Sequence, residues 1–205
     1  MTININEITP KQKLTIAKGL CDYQYIMDYW KTNDEDFKSV YYDFYLKARW
    51  SVMTRPENKT PYFEKLQSIS PSENLINIIM DLKEKMVQHD FEFSLSSKLL
   101  HTRNPSSPIY DSKVRKYLSE EENVEFWWGE RNKRMFGNAA PRGTSDEDKI
   151  RHDWKNLCEW YDGFIESKRC AEWIEWFDAN FPNYKNISKT KKIDLKIIYN
   201  NKEYT

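Results

Sequence analysis

The 205-residue chain has 32 basic and 32 acidic residues, so its formal net charge at pH 7 is zero. Hydrophobic residues make up 39% of the chain and aromatic residues 15%, which is enough for a packed core and excludes intrinsic disorder. No stretch without Asp, Glu, Lys or Arg exceeds seven residues. A membrane-spanning helix needs about 20 apolar residues, so no membrane segment is predicted.

The cysteine, histidine and glycine residues limit the kinds of chemistry to be expected. Cys21, Cys158 and Cys170 are far apart and the chain starts without secretory signal character, which predicts reduced thiols in a cytoplasmic protein. The three histidines are scattered, so no metal site is predicted. Five dispersed glycines cannot form a phosphate-binding loop, and no cofactor is predicted.

The first half of the chain has the hydrophobic spacing of amphipathic helices. Thr9 and Pro10 predict the start of a first helix, because a capping residue followed by proline suits a first turn. Apolar residues on one face predict a long second helix over residues 37–52. A capping box at residues 70–73 predicts a third helix that reaches about His89.

The second half contains loops and further helical segments. Two prolines in residues 102–108 bar a continuous helix, and Asp111 opens the next one. Capping patterns predict a helix over residues 119–137 and another that starts at residues 145–148. Residues 193–199 alternate like a strand. We therefore predict one all-α domain of about eight helices over residues 1–205, with a short β segment near the C-terminus.

Charge is unevenly distributed along the chain. Residues 98–118 contain five cations and one anion, residues 131–142 contain four cations and no anion, and residues 185–196 contain five cations and one anion. Residues 143–178 contain ten acids and five bases. Basic segments that converge on one surface would bind a phosphate backbone, and the alternative is an ordinary solvated helix surface.

One segment, SSKLLHTRNPSSPIYDSKV at Ser96–Val114, resembles uncharacterised bacterial proteins. These resemble the helix-hairpin-helix DNA glycosylases, in particular the 8-oxoguanine glycosylase branch. In that superfamily a lysine near the start of one helix and an aspartate at the head of the next face a flipped-out base. The resemblance implies a glycosylase-like fold, DNA as a partner, and Lys98 and Asp111 as catalytic residues. Residues 187–194 are also similar to these bacterial proteins.

The same region supplies the other candidate site residues. Four cations are predicted to contact nucleic acid: Arg103, Lys113, Arg115 and Lys116. His101 and Tyr110 are predicted to form walls of a pocket. Base excision would need a lysine whose pKa is far below the usual value of about 10.4, because only a neutral amine attacks a sugar carbon.

Other interpretations of these residues stay open. Asp111 is also explained as a helix N-cap, and Lys98 as a solvated side chain. The whole chain is also explained as a non-enzymatic helical interaction module, or as a small-molecule pocket on the same fold. An acid-x-lysine sequence at residues 194–196 occurs in metal-dependent nucleases, but no mixed sheet is predicted to carry the remaining acids.

Overall fold

In a computed structural model, the described residues are 8–46, 50–53, 55–87, 92–128 and 140–200. Within these ranges the chain forms helices and no strand, which confirms the all-α prediction. None of the described helices is both long and apolar enough to cross a bilayer. His89, Gly137 and most of the basic segment 131–142 lie outside the described residues.

Contacts divide the chain into two compact units. The N-terminal unit is Pro10–Pro105, and the C-terminal unit is Ser106–Thr205 together with Met1–Thr9. That residues 1–205 fold as one domain stays a prediction.

The N-terminal unit is built from helices that bury one another's apolar faces. Its described helices are α1 (Pro10–Tyr29), α2 (Glu35–Tyr41), α3 (Trp50–Met53), α4 (Pro56–Ser68), α5 (Leu75–Lys85) and α6 (Phe93–Arg103). Helix α1 packs on α2, and α4, α5 and α6 pack on one another. Every residue from Leu95 to Thr102 is buried, so α6 has no solvent-facing side over this stretch.

Aromatic rings fill the core between α2 and α4. Tyr41 of α2 lies edge-on to Tyr62 and Phe63 of α4, with ring centroids 6.1 and 5.7 Å apart. Phe37 contacts Phe63 in the same way at 6.2 Å. Edge-to-face contacts of this kind add to the stabilisation from burial, and they fix the spacing of the two helices.

The predicted second helix over residues 37–52 is interrupted. Helix α2 changes into a π-helical turn at Tyr42–Leu46, and Trp50–Met53 is α-helical as α3. Helix α4 was not among the predicted helices. Pro56 lies in its first turn, where the missing N–H of proline costs no helical hydrogen bond. The proline that follows the predicted second helix therefore begins another helix.

Helix α5 begins later than the capping box at residues 70–73 predicts. Its cap is Asn74, whose side-chain oxygen accepts a hydrogen bond from the Ile76 N–H at 2.8 Å. Glu73 still accepts a hydrogen bond from the Ser70 N–H at 3.3 Å, but this pair closes the turn before the helix. The third predicted helix therefore exists, with its cap four residues further along the chain, at Asn74 and not at Ser70.

The C-terminal unit is organised around its last described helix. Its helices are α7 (Ser112–Glu121), α8 (Asp146–Ile165), α9 (Lys168–Asn180) and α10 (Lys189–Asn200), with a 3₁₀ turn at Pro182–Tyr184. Helix α10 packs against α7, α8 and α9, and α8 also packs against α9. Helix α10 is thus in contact with each of the other described α-helices of its unit.

The predicted short β segment near the C-terminus is wrong, because residues 193–199 belong to α10. All side chains from Thr190 to Ile197 are buried, including those of Lys191, Lys192 and Asp194. A helix buried on every side shows no single apolar stripe, so apolar and polar residues can alternate along it without indicating a strand.

The helix predicted over residues 119–137 is also wrong in its described part. Helix α7 continues through Glu121, and residues 123–127 are not helical. Asn123 has a φ of 56°, in the left-handed region that ends helices. The Val124 N–H then donates to the Leu118 carbonyl at 2.9 Å, which closes the end of α7.

The capping box at the start of α8 is confirmed, and it gives a stability prediction. The Ser145 hydroxyl accepts a hydrogen bond from the Asp148 N–H at 3.1 Å and donates to the Asp148 carboxylate at 2.6 Å. We expect Ser145→Ala to lower the free energy of unfolding by about 1 kcal/mol, because one N–H of the first turn loses its acceptor. Ser145→Asn keeps an acceptor and should cost less than about 0.5 kcal/mol. Urea unfolding measures both, and equal losses would contradict this role.

Candidate functional site in the C-terminal unit

Asp111 is held in place at the start of α7. Its Oδ1 accepts hydrogen bonds from the Lys113 and Val114 N–H groups, both at 2.9 Å. The prediction that Asp111 opens this helix is confirmed. The side chain is half-buried, and its negative charge faces the positive end of the helix dipole. Asp111 is therefore a rigid carboxylate that solvent still reaches.

Two ionisable residues of α10, Lys191 and Asp194, are buried and lie near Asp111. Asp194 is 1% exposed and Lys191, three residues earlier on the helix, is 3% exposed. The Tyr161 hydroxyl of α8 donates a short hydrogen bond to Asp194 Oδ1. Asp194 Oδ2 is buried and has no hydrogen-bond partner among the described residues. We call Asp111, Tyr161, Lys191 and Asp194 the Asp194 cluster.

The members of the Asp194 cluster shift one another's protonation. The pKa of Asp194 is raised to about 7, chiefly by burial and to a smaller extent by the Asp111 charge, while the Lys191 charge and the Tyr161 hydroxyl oppose the rise. Burial lowers the pKa of Lys191, and the charges of Asp194 and Asp111 oppose this fall. This shift brings the pKa of Asp194 towards the range in which general acids and bases work.

A second buried carboxylate, Asp153 of α8, is fully satisfied. It is 0% exposed and accepts hydrogen bonds from the Tyr110 hydroxyl at 2.8 Å and from the Trp128 N–H at 2.9 Å. The Trp127 N–H and His152 Nδ1 also bond to it. Burial raises the pKa of Asp153, and the donors from the Trp127 and Trp128 backbone oppose that rise. Asp153 therefore anchors the non-helical segment after α7 to α8.

Two predicted site residues belong to this Asp153 network. The Arg115 guanidinium donates a short hydrogen bond to the Trp128 carbonyl and a longer one, at 3.4 Å, to the Tyr110 hydroxyl. Tyr110 is 4% exposed. Within the C-terminal unit, Tyr110 and Arg115 thus join α7 to the segment that Asp153 holds. The pocket role of Tyr110 and the nucleic-acid role of Arg115 stay predictions.

Lys98 and His101 lie on α6, in the N-terminal unit. Lys98 is 7% exposed and its Nζ donates to the Ser94 hydroxyl at 3.1 Å, so the interpretation of Lys98 as a solvated side chain is wrong. His101 is buried, and its Nε2 is 3.2 Å from the Tyr23 hydroxyl of α1. Asp111 and Tyr110 belong to the C-terminal unit.

The predicted nucleic-acid ligands are divided between the two units. Arg103 Nε donates to the Ile69 carbonyl at 2.9 Å, and its guanidinium carbon lies 3.7 Å from the centroid of the Trp30 ring. This contact fixes Arg103 within the N-terminal unit. Lys113 and Lys116 are half-buried on α7, and their spacing of three residues puts them on one face of that helix.

Sequence reasoning missed the ionisable residues that the fold buries. Asp153 lies three residues after Ile150 and four before Leu157, on the buried stripe of α8, and a carboxylate at such a position is a recognisable signal. Lys191 and Asp194 gave no comparable signal, because their segment alternated like a strand. Once α10 is known to be a helix, their three-residue spacing puts them on one face.

No family model, curated protein or solved structure matches this chain. Within the described ranges, no three His, Cys, Asp or Glu side chains come together as a set that could hold a metal ion. The chemistry of the Asp194 cluster follows from its own geometry, which offers a half-exposed carboxylate, a buried carboxyl group and a buried amine.

The raised pKa of Asp194 predicts how stability depends on pH. Between its ordinary pKa of 3.8 and the folded value of about 7, the folded state binds more protons at this residue than the unfolded chain. The contribution of Asp194 to the free energy of unfolding is therefore greatest below about pH 4 and falls by up to about 4 kcal/mol as the pH rises to about 7.

Asp194→Asn keeps an oxygen for the Tyr161 hydroxyl but carries no titrating proton. We expect this variant to become progressively more stable relative to the parent as the pH rises from about 4 to about 7. Urea unfolding at several pH values measures the difference. Asp162→Asn, at an exposed position of the same α8 that carries Tyr161, is the matched control and should show no such trend. A constant difference between parent and Asp194→Asn would contradict the prediction.

Proposed function

We propose that the protein is a cytoplasmic nucleic-acid-binding protein with base-excision activity, in which Asp111 stabilises positive charge on the sugar. The observation that carries the proposal is the setting of Asp111, a half-exposed carboxylate that two backbone N–H groups fix in place beside Lys191 and Asp194. A carboxylate fixed before the reaction stabilises a cationic sugar without reorganising, which is the largest catalytic contribution in many enzymes.

The resemblance of Ser96–Val114 to the glycosylases supports the reaction class and supplies Lys98 as the amine. In this reaction a neutral amine forms a bond to C1′ while the glycosidic bond breaks and its electron pair leaves with the base. The base takes up a proton, and opening of the sugar ring converts the adduct into an iminium ion. Asp194, whose pKa is about 7, is a group of the same unit as Asp111 that exchanges protons in the range where this chemistry operates.

Lys113 and Lys116 are the cations best suited to hold the phosphate backbone. They follow Asp111 on α7 and lie on one face of the helix at half-buried positions. Arg103 and Arg115 hold internal contacts, and removing them would disturb packing as well as charge. The two lysines share one face of α7, so one double variant removes both charges from that face.

Salt dependence tests the binding part of the proposal. We expect the protein to bind short DNA with an affinity that falls steeply as the salt concentration rises, because phosphate neutralisation releases counterions. The double variant Lys113→Ala/Lys116→Ala should reduce the slope of log affinity against log salt by about 2, or about 1 for each lysine. Fluorescence anisotropy at a series of salt concentrations measures this slope.

The control for this experiment removes the same charge elsewhere in the unit. Lys155 and Lys168 are exposed on α8 and α9, and each pairs with a glutamate one turn further along. Lys155→Ala/Lys168→Ala should leave the slope unchanged. Undetectable binding of the parent at low salt would overturn the nucleic-acid proposal and favour the interaction module.

Covalent trapping tests the chemistry. The amine condenses with the C1′ aldehyde of an abasic site, water leaves, and borohydride reduces the resulting C=N bond to a stable amine. We expect the parent to give an adduct and Lys98→Ala to give none. On DNA that contains 8-oxoguanine, Asp111→Asn should slow base release by about 100-fold, because it keeps a cap for α7 but lacks the charge.

Three results of the trapping experiment would contradict the assignment. Adduct formation that persists in Lys98→Ala would show that another amine reacts. Equal base-release rates for the parent and Asp111→Asn would reduce Asp111 to a helix cap. No adduct and no base release in the parent would remove base excision from the proposal. Lys155→Ala serves as a lysine control, since its side chain is 70% exposed and lies on α8.

A further inference from the structure

The N-terminal unit contains a cavity of about 560 Å³ between α2 with its π-helical turn and α4. Small-molecule sites commonly have volumes of about 300–1,000 Å³. The residues of its wall that matter here are two aromatic, two cationic and two hydroxyl side chains: Tyr42, Phe63, Lys38, Lys59, Ser39 and Thr60. Neither Lys98 nor any residue of the Asp194 cluster lines this cavity, so the inference does not rest on the proposed base excision.

The cations and rings of this wall are arranged reciprocally. Lys59 of α4 places its Nζ over the Tyr42 ring of the π-helical turn, 5.4 Å from the centroid. Lys38 of α2 places its Nζ over the Phe63 ring of α4, 5.9 Å from the centroid. Each of the two sides of the cavity thus supplies one ammonium group, which lies over a ring of the other side. The cavity therefore offers positive charge on both of its sides, and its accessible aromatic surface comes mainly from Tyr42.

The two acidic residues of the wall, Glu35 and Glu64, are exposed to solvent and leave the cavity with its positive charge. Glu35 accepts a hydrogen bond from Lys38 at 2.8 Å, but its side chain is 89% exposed. Glu64 is also exposed, on α4. A ligand anion inside the cavity would meet the two ammonium groups and the hydroxyls of Ser39 and Thr60, while these glutamates remain solvated.

Tyr42 is the first residue of the π-helical turn. A π-turn holds more residues than an α-turn, and such turns are frequent at functional sites. Tyr41 and Tyr45, on either side of this residue, are buried in the core, whereas Tyr42 is half-buried in the cavity wall. The change of helix type thus occurs at the residue that lines the cavity.

We infer that this cavity binds a planar aromatic ligand that carries an anionic group. The ring would pack against Tyr42, with the nearly buried Phe63 at the base of the cavity, and the anionic group would bind to Lys38 and Lys59. Nucleoside monophosphates and aromatic carboxylates share this chemistry. The hydroxyl groups of Ser39 and Thr60 can donate hydrogen bonds to either a phosphate or a carboxylate.

Isothermal titration calorimetry on the full chain tests this inference with four probes. AMP and benzoate represent the two sources of the ligand chemistry, adenosine has a ring without the anion, and ribose 5-phosphate has the anion without an aromatic ring. We expect AMP, benzoate or both to bind. If AMP binds, adenosine and ribose 5-phosphate should each bind at least about 10-fold more weakly, because each lacks one of the two groups that the cavity recognises.

Variants then locate the binding site. Lys59→Ala should lower the affinity for the anionic probe that binds at least about 10-fold and change the affinity for adenosine less than about 2-fold. Tyr42→Leu should weaken AMP and adenosine alike, and it avoids Phe63, which is 4% exposed and belongs to the core. Lys18→Ala removes the same charge at an exposed position of α1 and should leave binding unchanged. Circular dichroism verifies that each variant is folded.

Two outcomes would overturn the inference. The first is the absence of binding for both AMP and benzoate at millimolar concentration. The second is binding that Lys59→Ala and Lys18→Ala reduce equally, because the anion would then respond to overall charge and not to the cavity. Binding of AMP without benzoate identifies a nucleotide site, and the reverse result identifies an aromatic carboxylate site; either result supports the inference.

Discussion

The burial of charged side chains along α10 is the constraint on which the C-terminal unit depends. A buried charge is strongly destabilising unless a partner compensates it, and removal of one partner costs about 3–5 kcal/mol. Lys192 Nζ bonds to the Asp178 carboxylate at 2.6 Å and to the Lys185 carbonyl at 2.7 Å. Lys196 lies over the Phe164 ring, 4.8 Å from its centroid. Helices α8 and α9 must therefore supply partners for the buried charges of α10 as well as apolar surface.

Two buried carboxylates of this unit show how the same side chain serves different ends. Asp153 accepts hydrogen bonds at both oxygens, so nothing remains for a ligand and its role is to hold the segment after α7. Asp194 has one oxygen bonded to Tyr161 and the other without a partner in the described part of the chain. Buried polar atoms are almost always satisfied, so an exception points to strain, catalysis or a bound group.

Features set by neighbouring residues could be predicted from the sequence, and features set by tertiary burial could not. The caps at Asp111 and Ser145 depend on residues within one turn, and both are confirmed. Helix α10 depends on burial from several sides, which no periodicity reveals, and its residues 193–199 were predicted as a short strand. For the same reason Lys191 and Asp194 were absent from the predicted site, whereas Asp111 was included.

The number of residues in the π-helical turn at Tyr42–Leu46 determines which side chains face the cavity. A π-turn is equivalent to an α-helix that has accommodated one additional residue. Since each residue of an α-helix advances about 100° around the axis, loss of one residue from this turn would rotate Tyr42 and everything before it relative to α4. The cavity is thus sensitive to a single-residue deletion that leaves all of its lining side chains in the sequence.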